Sequence, residues 1–411
     1  MLLAFAASIP VEDAVQFGIG RLSKVIGLAA FATWLAVIFV RGRLRPLTPV
    51  HIAASAFVTW SIASYFWSLD PSATLSKCVT LVQMLAVVWL VLDQAHSRFD
   101  LIRLMRAFVL GSLLSALVTS LHAHQGNSTL GAKRFATDNA GPNNAGALLA
   151  IAVMMALYLL AADPKSRWRW LYRFFLPVGA VGIILSGSRG ALVAFAVGLA
   201  IALVTTRNLR GGRLLVLAAA GAIALVLVAT LVPQATLDRL GTTNSEIQTG
   251  TLDKRLLYWR TAFRIWGEQP VQGIGSGSFQ DANYHLGNRA AVAHSLYMSV
   301  LVETGVVGLG LLLLALGLAA FDGGRLERPD LRRQWFALWA TWSLGAAALT
   351  WEIRKITWFM IALGVVHASA VRQERRAAAL AAATAADASG QPSLPPGPEA
   401  RIDPVGATSP T

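Results

Sequence analysis

Runs of about twenty apolar residues recur along most of this sequence, and short polar links separate them. That spacing constrains the fold more than any motif does. A helix rising 1.5 Å per residue needs roughly 20 apolar residues to cross the hydrocarbon core of a bilayer. Composition agrees: 55% of the 411 residues are hydrophobic, 14% are charged, and mean hydropathy is +0.57. A soluble chain of this size carries roughly a quarter charged residues. Strands of a membrane barrel alternate apolar and polar residues over about 10 positions, and these runs do not alternate. The expected fold class is an all-α polytopic membrane protein.

Spans are expected near residues 21–40, 48–67, 73–92, 100–121, 143–162, 172–187, 190–206, 213–232, 294–320, 334–350 and 355–371. The opening "MLLAFAASIP" is shorter. It has no preceding basic region and no clear cleavage site, as a signal peptide would, so it is read as a short first span, making about twelve. With the N-terminus inside, the inner links are "RGRLRP", "DQAHSRFD", "DPKSRWRWLYR", "TTRNLRGGR", "DGGRLERPDLRRQ" and the tail beginning "VRQERR". All are rich in arginine or lysine. Most of the outward links ("VEDAVQFGIGR", "SLDPSA", "SGSRG", "TWEIRK") are poorer, as the positive-inside rule requires. Both termini are therefore expected in the cytoplasm.

The same rule accounts for the formal charge of +14, and no basic run has the aromatic interleaving of a nucleic-acid surface. Cys78 is the only cysteine, so no disulfide or paired-cysteine metal site is possible within the chain. No phosphate-binding P-loop and no HExxH helix occurs, and no metal or cofactor is expected. Residues 1–376 are expected to form one transmembrane domain whose large outward loop covers 233–293. Residues 377–411, rich in Ala, Pro and Ser, read as a disordered tail.

Candidate functional residues are the charges that break the pattern. Arg189 stands in "SGSRG", between two spans too close for a real loop, at the membrane boundary. It is either a snorkelling arginine or an anion clamp, because a guanidinium fork matches phosphate oxygens. In "GTLDKRLLYWRTAFRIWGEQP", Leu252, Leu256, Trp259, Phe263 and Trp266 recur at helical spacing and predict a surface helix with one apolar stripe. Arg255 falls at the edge of that stripe, whereas Arg260 and Arg264 lie further round and suit a solvated basic face. "GIGSGSF" marks a tight, irregular connection and is weak as a phosphate signal. His294 is expected in the first turn of its helix, as a base or as a cap. His122, His124 and His285 are outward rivals. Glu303 lies nine residues on, about 13 Å deeper, and suits an internal polar partner.

"GPNNAG", "SGSRGA", "R…YW" in one large outer loop, "GIGSGSF" and "HSLYMSVLVETGVVGLG" occur in this order. Over residues 140–320 the pattern resembles the O-antigen ligase and polymerase superfamily, of Wzy_C type, and among its members most resembles the lipopolysaccharide O-antigen ligase. The resemblance implies a GT-C-type helical fold in the inner membrane of a Gram-negative bacterium, with its site facing the periplasm. It implies metal-independent, inverting transfer of a glycan from an undecaprenyl-pyrophosphate-linked donor to a sugar hydroxyl of a lipid A-core acceptor. By the same resemblance His294 is the general base, and Arg189 and Arg255 bind the pyrophosphate. Arg260 is the alternative to Arg255 beside Trp259, and Tyr258, Trp259 and Glu303 support the site. An O-antigen polymerase and a protein O-oligosaccharyltransferase are alternatives within the superfamily. An anion transporter is the alternative outside it, disfavoured because the basic residues gather at the outer mouth and paired repeats are not evident. Membrane lipids are expected partners; nucleic acid is not.

Overall fold

The computed structural model describes residues 1–12, 16–17, 20–42, 47–125, 135–136, 141–203, 255–286, 290–323 and 328–389. Among them lie helices α1 (Leu2–Ser8), α2 (Leu22–Arg41), α3 (Pro49–Ala63), α4 (Pro71–Gln94), α5 (Arg98–Gln125), α6 (Pro142–Ala162), α7 (Arg169–Leu185) and α8 (Arg189–Leu203). After the undescribed stretch come α9 (Arg255–Glu268), α10 (Phe279–His285), α11 (Leu296–Gly323), α12 (Pro329–Ala347) and α13 (Lys355–Ser389). A two-residue strand pair, Gln16–Phe17 with Gly20–Arg21, is a minor addition. Proline opens α3, α4, α6 and α12, where its missing N–H costs no hydrogen bond. Asp70 caps α4 by accepting from the Ala73 amide at 2.9 Å.

The protein is an all-α polytopic membrane protein. Every expected span within the described residues falls on a helix; the span expected at 213–232 lies outside them. Among the described residues, five helices are long and apolar enough to cross a membrane, over Ser23–Val40, Pro71–Val91, Arg98–Gln125, Pro142–Ala162 and Leu296–Phe321. Two expectations need correction. The first span is only Leu2–Val11, a helix ended by a tight turn, and ten residues rise about 15 Å, half of a hydrocarbon core. The tail expected to be disordered from 377 begins as helix, because α13 runs on to Ser389 through an alanine-rich stretch of high helix propensity.

The centre of the bundle is α6, 83% of whose apolar window is buried against 17% for α2. It packs on α5, α7, α8 and α12. Small residues allow the approach: a Cβ at Gly182 would press on Leu149, and one at Gly198 would collide with the Thr341 hydroxyl.

Links expected on one side of the membrane meet one another. At one face Lys355 bonds Glu12, with Arg354 at 3.6 Å, and Leu69 donates to the Ile274 carbonyl at 3.0 Å. At the other, Arg98 pairs with Glu374 at 3.3 Å and Arg106 with Asp163 at 3.3 Å. The second face carries the arginine-rich links.

Between these faces α11 breaks. Gly305 has φ +67° and ψ −169°, which splits the helix into residues 296–304 and 306–323. The carbonyls of Val302, Glu303 and Thr304 lose the partners an unbroken helix would supply. They accept instead from Ile274 N at 3.1 Å, Gly275 N at 2.9 Å and the Trp60 indole at 2.9 Å. On the far side of the break, Val306 N donates to Pro270 O at 3.0 Å and Val307 N to Val271 O at 3.4 Å. The glycine-rich turn is thus a plug that satisfies a broken helix, as backbone at a membrane boundary must be satisfied. Trp60 and Ser64, at the end of α3, both bond this region, so Gly305 lies level with the outer end of α3. Glu303 is therefore not sunk 13 Å into lipid: residues 296–304 belong to the outer cap, and residues 306–323 make the crossing.

Two outcomes are expected. A Cβ at Gly305 would overlap the Val271 carbonyl in a backbone conformation that side chains rarely adopt. Gly305→Val should therefore lower stability by roughly 2–5 kcal/mol, read as a lower melting temperature in detergent. For Glu12, burial works to raise the carboxyl pKa; the Lys355 charge and hydrogen bond, the Ser23 hydroxyl and Arg354 outweigh it and hold it below the ordinary range. A lowered folded value contributes stability above the unfolded pKa of about 4.3 and loses it as pH falls through the folded value. The advantage of wild type over Glu12→Gln, on the order of 1–3 kcal/mol at pH 7, should shrink in melts below pH ~4.

Candidate functional site: a cationic cleft beside His294

The link between α7 and α8 is three residues, Ser186, Gly187 and Ser188. Gly187 takes φ +57° to turn the chain. Ser188 opens α8, its hydroxyl accepting from Ala191 N at 3.3 Å and its carbonyl from Leu192 N at 3.0 Å. Against this junction lies the start of α6: a Cβ at Gly146 would meet Ala191 Cβ at 3.1 Å and collide with the Ser186 hydroxyl. The two motifs "GPNNAG" and "SGSRG" therefore pack together, and the N-termini of α6 and α8 are brought side by side.

A cleft of about 200 Å³ opens where they meet. Its walls are Asn143 and Ala147 of α6, Ser188, Gly190 and Ala191 at the head of α8, Arg255 at the head of α9, and Gly345, Ala348 and Leu349 around the end of α12. Arg189 lies between two of these wall residues. Two helices, α6 and α8, begin here, and each N-terminus carries partial positive charge and donor N–H groups. Among the described residues the lining contains no carboxylate. A cleft with this lining offers an anion one guanidinium and the donor groups of two helix ends.

His294 is joined to the cleft through α9, whose Tyr258 faces it. It is not in the first turn of α11, as expected, but in the bend before it, because α11 begins at Leu296. His294 has φ +49°, the left-handed region, and is the one non-glycine residue there among those described. Such strain persists only where the surroundings impose it. Here the Trp259 indole donates to the Ala293 carbonyl at 2.9 Å, and the Tyr258 ring lies 6.1 Å from the imidazole, centre to centre. Tyr258 follows Arg255 by three residues on one face of α9, so one helix carries both the cleft arginine and the ring against His294. One turn beyond, the Tyr297 hydroxyl meets Ser343 Oγ at 2.7 Å, two residues from the Gly345 wall.

The buried face of α9 differs from the expected stripe. Tyr258, Thr261, Ala262 and Ile265 are buried, whereas Phe263 is 52% exposed and Trp259 and Trp266 are half-buried. The small residues Thr261 and Ala262 let the helix settle on the plug and on Ala293, which the bulky stripe would hold off. Arg260 and Arg264 are exposed and do not line the cleft, so Arg255 rather than Arg260 is the arginine brought to it. His122 bonds the Ala136 carbonyl at 2.9 Å, His124 is exposed, and His285 is an exposed partner of Asp281 at 3.4 Å. Leu252 lies outside the described residues.

Glu303 is the internal polar partner that sequence reasoning expected, but its cation was missed. Lys77 of α4 bonds Glu303 at 2.6 Å and Glu352 at 2.7 Å, and all three are almost fully buried. Glu303 also accepts from Gly277 N at 2.7 Å, and Glu352 from Ser299 Oγ at 2.7 Å. Beside Glu352, the Trp351 indole donates to Asn144 Oδ1 at 2.9 Å, next to Asn143 of the cleft. The available signal was a lysine inside an expected span, which is costly without a partner.

A family model described as O-antigen ligase (Wzy_C) matches residues 174–313. The match runs from inside α7 to inside α11 and so encloses the junction arginine, the outer helix, the plug and His294. No curated protein matches the chain. Over residues 174–313 the chain is thus similar to the O-antigen ligase family.

Proposed function

We propose that this protein is an O-antigen ligase, transferring a glycan from undecaprenyl pyrophosphate to a sugar hydroxyl of the lipid A core at the periplasmic face of the inner membrane. One observation carries the reading. Arg255 shares a cleft with the residues flanking Arg189, and stands one helical turn from the tyrosine ring that faces His294. Anion-binding groups and a titratable base are thereby neighbours.

The chemistry follows from the donor. Its sugar carbon is bonded to a pyrophosphate on which negative charge grows as the bond breaks. Arg255, Arg189 and the N-termini of α6 and α8 meet that charge in a fixed geometry, which lowers the barrier without reorganisation. The acceptor hydroxyl is a weak nucleophile. His294 takes its proton as it attacks, an effect of about 10²–10⁴ in rate. Attack opposite the leaving pyrophosphate inverts the anomeric carbon. In this reading no metal is needed, since the arginines carry the countercharge. Both substrates have lipid tails, so a site at the outer boundary of the bundle lets each enter sideways from the bilayer. The positive-inside rule makes the arginine-poor face, where this site lies, the periplasmic one.

Purified protein is given donor alone, then donor with core lipid. Product that forms only with core lipid supports a ligase; chain lengthening on donor alone identifies a polymerase instead. His294→Ala should abolish transfer with folded protein retained, and Arg255→Ala should cost about 10²–10³ in kcat. Arg255→Lys should recover little, since an ammonium lacks the fork. Arg260→Ala should stay near wild type. Transfer that survives His294→Ala would overturn the role of the base.

A further inference from the structure

Among the described residues, Lys77 bonds two carboxylates on two separate arms of the site. Through Glu303 it holds residues 296–304, the short helix that follows His294 directly, and Glu303 in turn holds the plug by the Gly277 amide. Through Glu352 it holds the segment after α12, whose Ala348 and Leu349 form a wall of the cleft with Gly345 of α12 and whose Trp351 bonds Asn144 beside Asn143. Ser299, on the His294 arm, donates to the same Glu352 carboxylate and closes the ring. Lys77 itself belongs to α4, which supplies none of the cleft lining.

Given the transfer reaction proposed above, on which this inference rests, we infer that Lys77 is a positioning residue that clasps the base-bearing arm to the anion-binding wall. The spacing between His294 and the pyrophosphate cleft is then set by two short ion pairs rather than by apolar contact. Apolar contacts would hold the arms together, but they tolerate sliding. A lysine between two carboxylates at 2.6 and 2.7 Å does not. Burial adds to this, because either carboxylate would lose its only ionic partner among the described residues if the arms moved apart.

Two variants keep the test decisive, because Lys77→Met alone strands two buried carboxylates, which is strongly destabilising whatever the role of the lysine. The triple variant Lys77→Met/Glu303→Gln/Glu352→Gln removes every charge of the cluster together. Ser299→Ala deletes one hydroxyl and leaves the charges. Each is purified in detergent, its melting temperature recorded, and transfer measured with donor and acceptor varied separately. The positioning role predicts that the triple variant melts close to wild type yet loses about 10²-fold in kcat, with the donor KM within a few-fold, since a 1 Å misplacement costs about that much. It predicts a smaller kcat loss, about 10-fold, for Ser299→Ala. A kcat near wild type in either variant overturns it, as does a loss carried by KM alone. A triple variant that fails to fold makes the cluster structural and leaves Ser299→Ala to decide. If wild type itself transfers nothing, the reaction assigned above fails; if wild type transfers and both variants match it, only the clasp fails.

Discussion

A helix that breaks at a membrane boundary must find new partners for its backbone, and that requirement organises the outer half of this protein. At Gly305, α11 gives up its ladder, and the turn after α9 supplies what is lost, amide for carbonyl. Because those bonds are directional, the turn has one way to sit. A Cβ at Gly275 would strike Ser68, so the turn also lies against the α3–α4 link without intervening side chain. The plug fixes the C-terminal end of α9, and α9 fixes where Arg255 and Tyr258 lie. The strained conformation of His294 follows from the same packing, through the Trp259 bond to Ala293.

The electrostatics follow a similar economy. Charges are expensive in lipid, so the bundle gathers its outer ones where helices begin and donor groups already face outward. Arg255 and the Arg189 junction add full charges beside two helix ends that are favourable to anions without them. A guanidinium at a helix N-terminus is unfavourable by the dipole rule, and the placement of Arg189 at the head of α8 makes sense when an anion joins it. The Lys77 cluster follows the opposite logic. Its charges neutralise one another within a buried network, and a buried ion pair is weak evidence for stability because desolvation cancels most of the attraction. What such a pair does supply is direction and register.

Much of this was legible in the sequence. Apolar run length gave the spans, since crossing a bilayer is a one-dimensional requirement that each run meets alone. "SGSRG" was legible as a helix junction because two spans left no room for a loop. The interior of the outer cap was not. The stripe of α9 reports where its bulky residues lie, not which face the protein itself accepts; the plug accepts the Ala262 and Ile265 face, with Trp266 at its edge, and leaves Phe263 exposed. The glycines of "GIGSGSF" read as a turn but not as a plug, since the break they fill lies some thirty residues on, at a single glycine inside a long apolar run. Lys77 and Glu352 are 275 residues apart, and no local pattern joins them.

A transfer reaction between two lipid-tailed substrates has little use for a deep pocket. Neither substrate can be swallowed, so the site has to be an edge, and an edge cannot rely on enclosure to hold catalytic groups in place. Rigidity then has to come from beneath. Here the underlying layer is a broken helix sealed by backbone bonds, a glycine-tight plug, and a lysine between two glutamates. The cleft above needs only a few side chains because that layer already restricts where they stand. Small residues line much of it, which leaves the anion in contact with helix ends and arginines instead of bulk. An open, shallow, cationic cleft on a stiff base is what the proposed chemistry asks of a membrane surface: charge stabilisation that does not move, and a hydroxyl activated beside it.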